Sequence, residues 1–129
     1  MDVTSILERL NPAQQEAVVS DRKHLLVLAG AGSGKTRVLV HRITWKVHVE
    51  NTAPHSILAV TFTNKASREM RERIDQLLGF SLKGMWVGTF HGLAHRLLKL
   101  HWKDAELDEN FQILDSDDQL RVIKRIMRS

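Results

Sequence analysis

Ala29-Gly30-Ala31-Gly32-Ser33-Gly34-Lys35-Thr36 comes directly after the apolar run Leu25-Leu26-Val27-Leu28 and leads into an amphipathic segment that opens at Arg37. Strand, glycine-rich loop and helix in that order make the P-loop arrangement, which sets the expected fold class as α/β, a parallel sheet flanked by helices. A triphosphate is a dense anion and needs many donors at close range. Gly30, Gly32 and Gly34 allow backbone conformations that a Cβ obstructs, so successive N–H groups can turn inward as an anion-binding nest. The start of the following helix adds unpaired N–H groups and the positive end of its dipole. Lys35 is placed to reach the β- and γ-phosphates, and the Thr36 hydroxyl to meet Mg²⁺. Ala29 stands where the pattern usually has Gly. The plain alternative is a Gly-rich turn between a strand and a helix; the intact Gly34-Lys35-Thr36 and the correct flanks argue against it.

Around this loop the chain reads as one globular piece. Its 129 residues are 43% hydrophobic, enough to bury a core. No apolar run reaches the roughly 18 residues of a membrane span, and Met1-Asp2-Val3-Thr4 lacks the features of a signal peptide. The absence of cysteine excludes disulfide and thiol chemistry and fits a cytoplasmic setting. A net charge of +4 permits nucleic-acid binding without demanding it.

Upstream of the loop, Leu10 to Val19 reads as a short helix with Asn11 as N-cap and Pro12 at the first helical position. Gln14 stands three residues after the cap. Spacing favours a capping box, while the competing reading pairs its amide with adenine N6 and N7. His24–Ala29 is continuously apolar, as in a strand buried on both faces of a parallel sheet. A helix follows from Lys35 to about Val49, with Thr36, Val40, Ile43 and Val47 on one face. Ile57–Phe62 is the second expected strand. Asn64 is the expected cap of a helix reaching Leu78, with Ala66, Met70, Ile74 and Leu77 inward and Arg68–Glu72 and Glu69–Arg73 pairing outside. Trp86-Val87-Gly88 opens a third short strand ending at Thr89-Phe90-His91. Beyond it the pattern is helix alone. One helix runs His91–Lys103, with Leu93, Ala94, Leu97 and Leu98 on one side. After an acidic loop, another runs Ser116 to about Met127, with Ser116 and Gln119 at capping-box spacing and Leu120, Ile123 and Met127 as its stripe. The boundary is therefore set between residues 1–90 and 91–129.

Three other signals carry less. His91 and His95 have the i, i+4 spacing of a zinc helix, but Gly92 stands where the accompanying Glu belongs and no third ligand is evident. Phe111–Asp115 imitates an apolar strand ending in a Mg²⁺-handling Asp, but Gln112 interrupts it and no Glu follows. Arg121, Lys124, Arg125 and Arg128 form either a DNA-facing stripe or, as amphipathicity favours, the solvated side of the last helix.

Four segments in order resemble the Q motif and motifs I, Ia and Ib of the UvrD/Rep helicases of superfamily one. They are Gln14 with Ala17-Val18, the Ala29–Thr36 loop with Arg37-Val38-Leu39, Ala59–Ala66, and Val87-Gly88-Thr89-Phe90-His91-Gly92. The likeness runs the length of the chain. It implies a RecA-like motor domain over residues 1–90, incomplete here, and the start of an inserted helical subdomain over 91–129. It also implies ATP and Mg²⁺ as cofactors, with ATP hydrolysis driving 3′ to 5′ movement on single-stranded DNA and unwinding at single-strand/duplex junctions, in company with DNA-repair proteins. By the same resemblance Gln14 recognises adenine, which reverses the spacing-based preference. Arg37 then lies near the base or ribose; its plain alternative is a solvated first-turn residue.

The resemblance also assigns DNA contacts. Phe62, Thr63 and Asn64 follow a strand's C-terminal end, where parallel α/β sheets place ligands. Phe62 offers a flat face for a base, and Thr63 and Asn64 can donate to phosphates. The plain alternatives are a core Phe62 and an Asn64 that only caps. Thr89, Phe90 and His91 take a similar DNA-side role, with His91 against the DNA backbone or a base; the plain alternative for His91 is a surface residue. An apolar strand ending in Asp-Glu, the adenine-stacking tyrosine and an arginine finger are not found; the sequence has no tyrosine at all. The expectation is an N-terminal fragment of a longer helicase, with Lys35 and Thr36 as the catalytic residues it holds. Such a fragment binds ATP·Mg weakly, hydrolyses little, and is marginally stable or self-associating because its sheet lacks neighbours. The competing functions are a small-molecule kinase and a non-catalytic module that binds nucleotide or single-stranded DNA.

Overall fold

The computed structural model describes residues 2–32 and 34–129. They fall into two compact units, one ending at Phe90 and the other running His91–Ser129.

The first unit begins with α1 (Thr4–Leu7) and α2 (Pro12–Val19). Asn11 caps α2 in a closed capping box: its side chain accepts from Gln14 N–H at 2.9 Å, and Gln14 Oε1 accepts from Asn11 N–H at 3.0 Å. α3 (Lys35–His48) has two buried faces. Val40 and Ile43 enter a cluster with Ala59, Met70, Ile74, Leu78, Leu82 and Met85, while Val38 packs with Leu10, Ala17 and Val18. The Arg42 guanidinium donates to the carbonyls of Ala17 at 2.7 Å and Ser20 at 3.0 Å, closing the C-terminal end of α2, where a cation also complements the helix dipole. Thr36, expected on the inward face, is exposed, because it sits in the first turn, ahead of the packed part of α3.

After a single 3₁₀ turn at Pro54–Ser56 come β1 (Leu58–Thr61), α4 (Asn64–Leu78) and β2 (Trp86–Thr89). β1 and β2 pair in parallel, from Leu58 opposite Trp86 to Thr61 opposite Thr89. α4 is the crossover such a pair needs, and it buries Ser67, Met70, Ile74 and Leu78. Its cap is Thr63, one residue before the expected Asn64: Thr63 Oγ1 accepts from Ala66 N–H at 3.1 Å, leaving Asn64 as the first helical residue. Arg68–Glu72 and Glu69–Arg73 close no ion pair among the described residues. On an exposed helix face such a contact brings little to offset its side-chain entropy.

The expected first strand does not form. Residues 25–30 have no ladder partner, and the described sheet has two strands, β1 and β2. Leu26 is 80% exposed and Leu28 86% exposed. An apolar run becomes a buried parallel strand only when strands flank it and helices cover it; here nothing described pairs with it.

α5 (Phe90–Leu100) starts on the last residue of the first unit; the second unit contains the rest of it and α6 (Ser116–Arg128). Of the expected α5 face only Leu93 is buried, and the helix gives way to turns before Lys103. Within this unit Lys99 Nζ donates to the Phe111 carbonyl at 2.9 Å and lies 4.5 Å from the centre of the Phe111 ring. The α6 cap is Asp115 and not Ser116: the Asp115 carboxylate accepts from Asp118 N–H at 2.7 Å, a stronger charge-assisted cap. The Leu120, Ile123 and Met127 stripe is present but exposed. No helix among the described residues is long and apolar enough to cross a membrane.

Candidate functional site

The glycine-rich loop delivers its residues to a cleft of about 520 Å³ lined by Gln14, Gly32, Gly34, Lys35, Thr36, Arg37 and Arg73. Gly32 and Gly34 have φ of +75° and +82°, in the left-handed region where a Cβ is strained. Gly34 is also the N-cap of α3 and, as a glycine, supplies no side-chain cap to the first N–H groups of that helix. Gly30 differs from the expectation: its φ is ordinary, and a Cβ there meets nothing within 4 Å. Ser33 lies outside the described residues. Ala29 is half-buried at the end of the apolar run, and Ala31 is exposed in the turn.

Lys35, Thr36 and Arg37 are all exposed in the first turn of α3. Among the described residues none of Lys35, Arg37 and Arg73 is ion-paired, and the cleft lining contains three cations and no carboxylate. Those charges and the helix N-terminus give the cleft a positive potential. Thr36 Oγ1 has no protein partner among the described residues, which suits it to a hard cation held jointly with phosphate oxygens.

Gln14 closes the capping box at the head of α2, and its side chain also lines the cleft. Its Oε1 accepts from the Asn11 N–H at 3.0 Å. Its Nε2 lies against the loop, 3.0 Å from where a Gly34 Cβ would stand. Gly34 is thus required twice, by its φ and by the approach of Gln14. The capping box locks the orientation of Gln14 and delivers its amide to the cleft.

Arg73 is the lining residue that sequence reasoning missed. Helical spacing puts it in a solvated pair with Glu69 and does not mark it as a site residue, since the cleft exists only once α4 packs beside α3. Arg37 and Arg73 also line an adjoining cavity of about 320 Å³ with Val40, His41, Gln76 and Leu77. His41 is buried, and its Nδ1 donates to the Ile6 carbonyl at 2.6 Å. Burial holds its pKa below 6.5; the Ile6 bond acts in the opposite direction and the Arg37 charge adds to the lowering.

The parallel register also builds a second feature. Because Thr61 lies opposite Thr89, the residues that follow them emerge side by side at the sheet's C-terminal edge. Phe62 is 90% exposed and Phe90 57%, with ring centres 5.6 Å apart and planes tilted by 45°. This excludes the reading of Phe62 as a core residue. Thr61 Oγ1 bonds to Ser67 Oγ and donates to the Thr63 carbonyl at 3.0 Å, which pins the turn beneath the exposed ring. Thr63 and Asn64 are exposed, and Thr89 is half-buried at the end of β2. His91 is exposed in the second unit. In that unit His95 meets the Phe111 ring edge-on at 5.7 Å, with its Nε2 buried and without a hydrogen-bond partner among the described residues. Among the described residues no group of three or more His, Asp or Glu is placed to hold a metal.

These features define a mixed α/β module with a cationic cleft at the head of a helix and an aromatic pair at the end of a parallel sheet. The chain belongs to the UvrD/REP helicase N-terminal domain family, whose family model matches residues 10–129. It is 66% identical to DNA helicase II of Escherichia coli strain K12 over 129 residues, which is 100% of this chain and 18% of that protein. It is 56% identical to DNA helicase II of Haemophilus influenzae over 132 residues, covering 99% of this chain and 18% of the relative. It is 50% identical to the ATP-dependent DNA helicase PcrA of Bacillus subtilis over 123 residues, covering 95% and 17%. The chain thus spans less than a fifth of the length of the curated relatives it matches.

Proposed function

We propose that this chain is the N-terminal part of an ATP-dependent 3′ to 5′ DNA helicase, cytoplasmic and at work in DNA repair, and that it supplies the holding half of the ATP site and part of the DNA track. The observation that carries this reading is the convergence of Gln14, Gly32, Gly34, Lys35, Thr36 and Arg37 on one cleft without a carboxylate. Residues 1–90 are the start of a RecA-like P-loop domain, and 91–129 the start of an inserted helical subdomain. The names of the relatives, DNA helicase II and ATP-dependent DNA helicase PcrA, support both ATP and DNA as substrates.

Each residue then has a role. The 29–36 loop and the head of α3 surround the phosphates, Lys35 neutralises the β- and γ-phosphates, and Thr36 holds Mg²⁺. Magnesium supplies charge neutralisation on the phosphate oxygens when bound. Gln14 reads the adenine edge and Arg37 lies beside the base or ribose. Phe62 stacks on a base of single-stranded DNA near a duplex junction, with Phe90 supporting its ring. Thr63, Asn64, Thr89 and His91 contact the backbone.

A second reading concerns this chain alone. With no carboxylate lining the described cleft, nothing there orients an attacking water, so the 129 residues act as a module that binds nucleotide or single-stranded DNA without turnover. The test is DNA-stimulated ATP hydrolysis by the full-length protein and by this chain, each with and without Lys35→Ala. The full-length activity is expected to fall at least a hundredfold in the variant, on the order of a lost transition-state contact. The short chain is expected to show no turnover. Unchanged full-length activity in Lys35→Ala overturns the phosphate role, and Lys35-dependent turnover by the short chain overturns the second reading.

A further inference from the structure

We infer that Thr61 and Ser67 are positioning residues for DNA binding: their hydroxyls hold the backbone of the turn that presents the Phe62 ring to a base. The inference rests on the reading of Phe62 as a stacking platform for single-stranded DNA. It assigns the support of that platform to two side chains that are themselves buried, Thr61 at 9% exposure and Ser67 at 8%.

Ala59 and Thr61 are the buried residues of β1, and Ser67 opens the buried stripe of α4 that continues through Met70, Ile74 and Leu78. Away from the turn this face is apolar, with Ala59 in one cluster with Met70 and Ile74. At the sheet's C-terminal edge the two stripes end instead in a pair of hydroxyls, Thr61 Oγ1 bonded to Ser67 Oγ. Burying two hydroxyls costs stability unless each is hydrogen-bonded, and an apolar pair would fill the same place without that requirement. Both hydroxyls converge on one backbone atom of the turn. The Thr63 carbonyl accepts from Thr61 Oγ1 at 3.0 Å and from the Ser67 N–H at 3.1 Å, and it lies 3.2 Å from Ser67 Oγ. Thr61 is also held in the ladder opposite Thr89, and Thr63 caps α4 through its own hydroxyl. Phe62 is therefore fixed through both of its neighbours, while its ring is 90% exposed and meets Phe90. A ring already held in place loses less conformational entropy when a base stacks on it, which raises affinity without a new contact. Thr61 and Ser67 thus act on DNA through Phe62.

The test uses the full-length protein. It measures affinity for an oligothymidylate strand by fluorescence anisotropy, together with the DNA concentration that half-saturates ATP hydrolysis and kcat at saturating DNA. Thr61→Val keeps the shape of the side chain and removes its hydrogen bonds to Ser67 and to the Thr63 carbonyl. It is expected to weaken DNA binding about fivefold, the scale of one lost hydrogen bond, and to raise the half-saturating DNA concentration to match, with kcat within about twofold. Thr61→Ser retains the hydroxyl and is expected to recover at least half of the loss on a logarithmic scale. Ser67→Ala leaves Thr61 bonded to the Thr63 carbonyl and is expected to cost about twofold; it carries the same comparison if the valine variant folds poorly. The decisive arm repeats each substitution in a Phe62→Ala background, where no further loss of DNA affinity is expected. A hydroxyl pair that serves stability alone lowers the melting temperature equally in both backgrounds and leaves DNA affinity untouched. Unchanged DNA affinity in Thr61→Val, no recovery in Thr61→Ser, or the same loss in the Phe62→Ala background overturns the inference. Unchanged affinity in Phe62→Ala alone overturns instead the DNA reading of Phe62, whatever Thr61 and Ser67 do.

Discussion

Leu58–Thr61 is hydrogen-bonded in register to Trp86–Thr89 and lies beside α4, whereas Leu25–Leu28, just as apolar, has no strand partner among the described residues. Ala59 and Thr61 are each 9% exposed; Leu26 and Leu28 are 80% and 86% exposed. A strand is thus a property of a pair and its cover, and not of one run of residues. The difference matters for function because each run leads into a site. The paired run holds the Phe62 turn rigidly through the Thr61–Ser67 and Thr61–Thr63 hydrogen bonds. The unpaired run leads into the glycine-rich loop, so the cleft depends for its shape on α3 and on Gln14 held by the α2 capping box.

The largest test of this contrast strikes the cover of the paired run. Ile74 is fully buried in the cluster shared with Ala59. Ile74→Ala is expected to cost about 2–5 kcal/mol by chemical denaturation and to release β1 as well. A cost below about 1 kcal/mol, the range of a surface change, means that α4 does not hold the pair. Next comes the loop. Gly34→Ala forces a Cβ into a left-handed residue and against Gln14 Nε2, with an expected cost of roughly 1–2 kcal/mol. Gly30→Ala, with an ordinary φ and open space, is expected to stay within about 0.5 kcal/mol. Equal costs for the two contradict the loop geometry.

A smaller effect is expected from pH. His41, buried on α3 and bonded to the Ile6 carbonyl, has a folded pKa lowered by burial below the 6.5 of the unfolded chain. Below that pH the unfolded state binds the extra proton more readily, so stability falls as pH drops from about 6.5 toward the folded value and is recovered above it. His41→Gln retains a donor for the Ile6 carbonyl and is expected to flatten this slope between pH 7 and 5 in thermal unfolding; an unchanged slope removes His41 as its cause. The smallest stability change belongs to the unpaired run. Leu28→Ser is expected within about 0.5 kcal/mol of the parent. The Leu26→Ser/Leu28→Ser pair should instead reduce self-association in sedimentation, since these side chains form an exposed apolar edge. A parent that is monodisperse at all concentrations contradicts that expectation.

Much of the molecule was legible because it is governed by local rules. The 3.6-residue spacing of Val40, Ile43 and Val47 placed α3, and that of Met70, Ile74 and Leu77 placed α4. Asn11 and Gln14 announced their capping box. The caps that moved by one residue, Thr63 for Asn64 and Asp115 for Ser116, lie where two adjacent residues are both competent and only backbone geometry chooses. Non-local features were not legible. The Phe62–Phe90 pair arises from strand register, and Arg73 enters the cleft through the packing of α4 beside α3. Neither leaves a periodic signal. The Leu25–Leu28 run misled for the same reason, since what makes it a strand or not is its neighbours.

The central claim is that Gln14, the glycine-rich loop and the head of α3 form one nucleotide site. Its most direct test is a two-dimensional amide NMR titration of this chain with Mg·ATP. The account predicts that the largest shifts fall on the backbone N–H groups of Gly32, Gly34, Lys35, Thr36 and Arg37 and on the side-chain amide of Gln14. They should saturate together, with little change in α6. Shifts absent from these positions, or centred elsewhere at saturating ligand, contradict it.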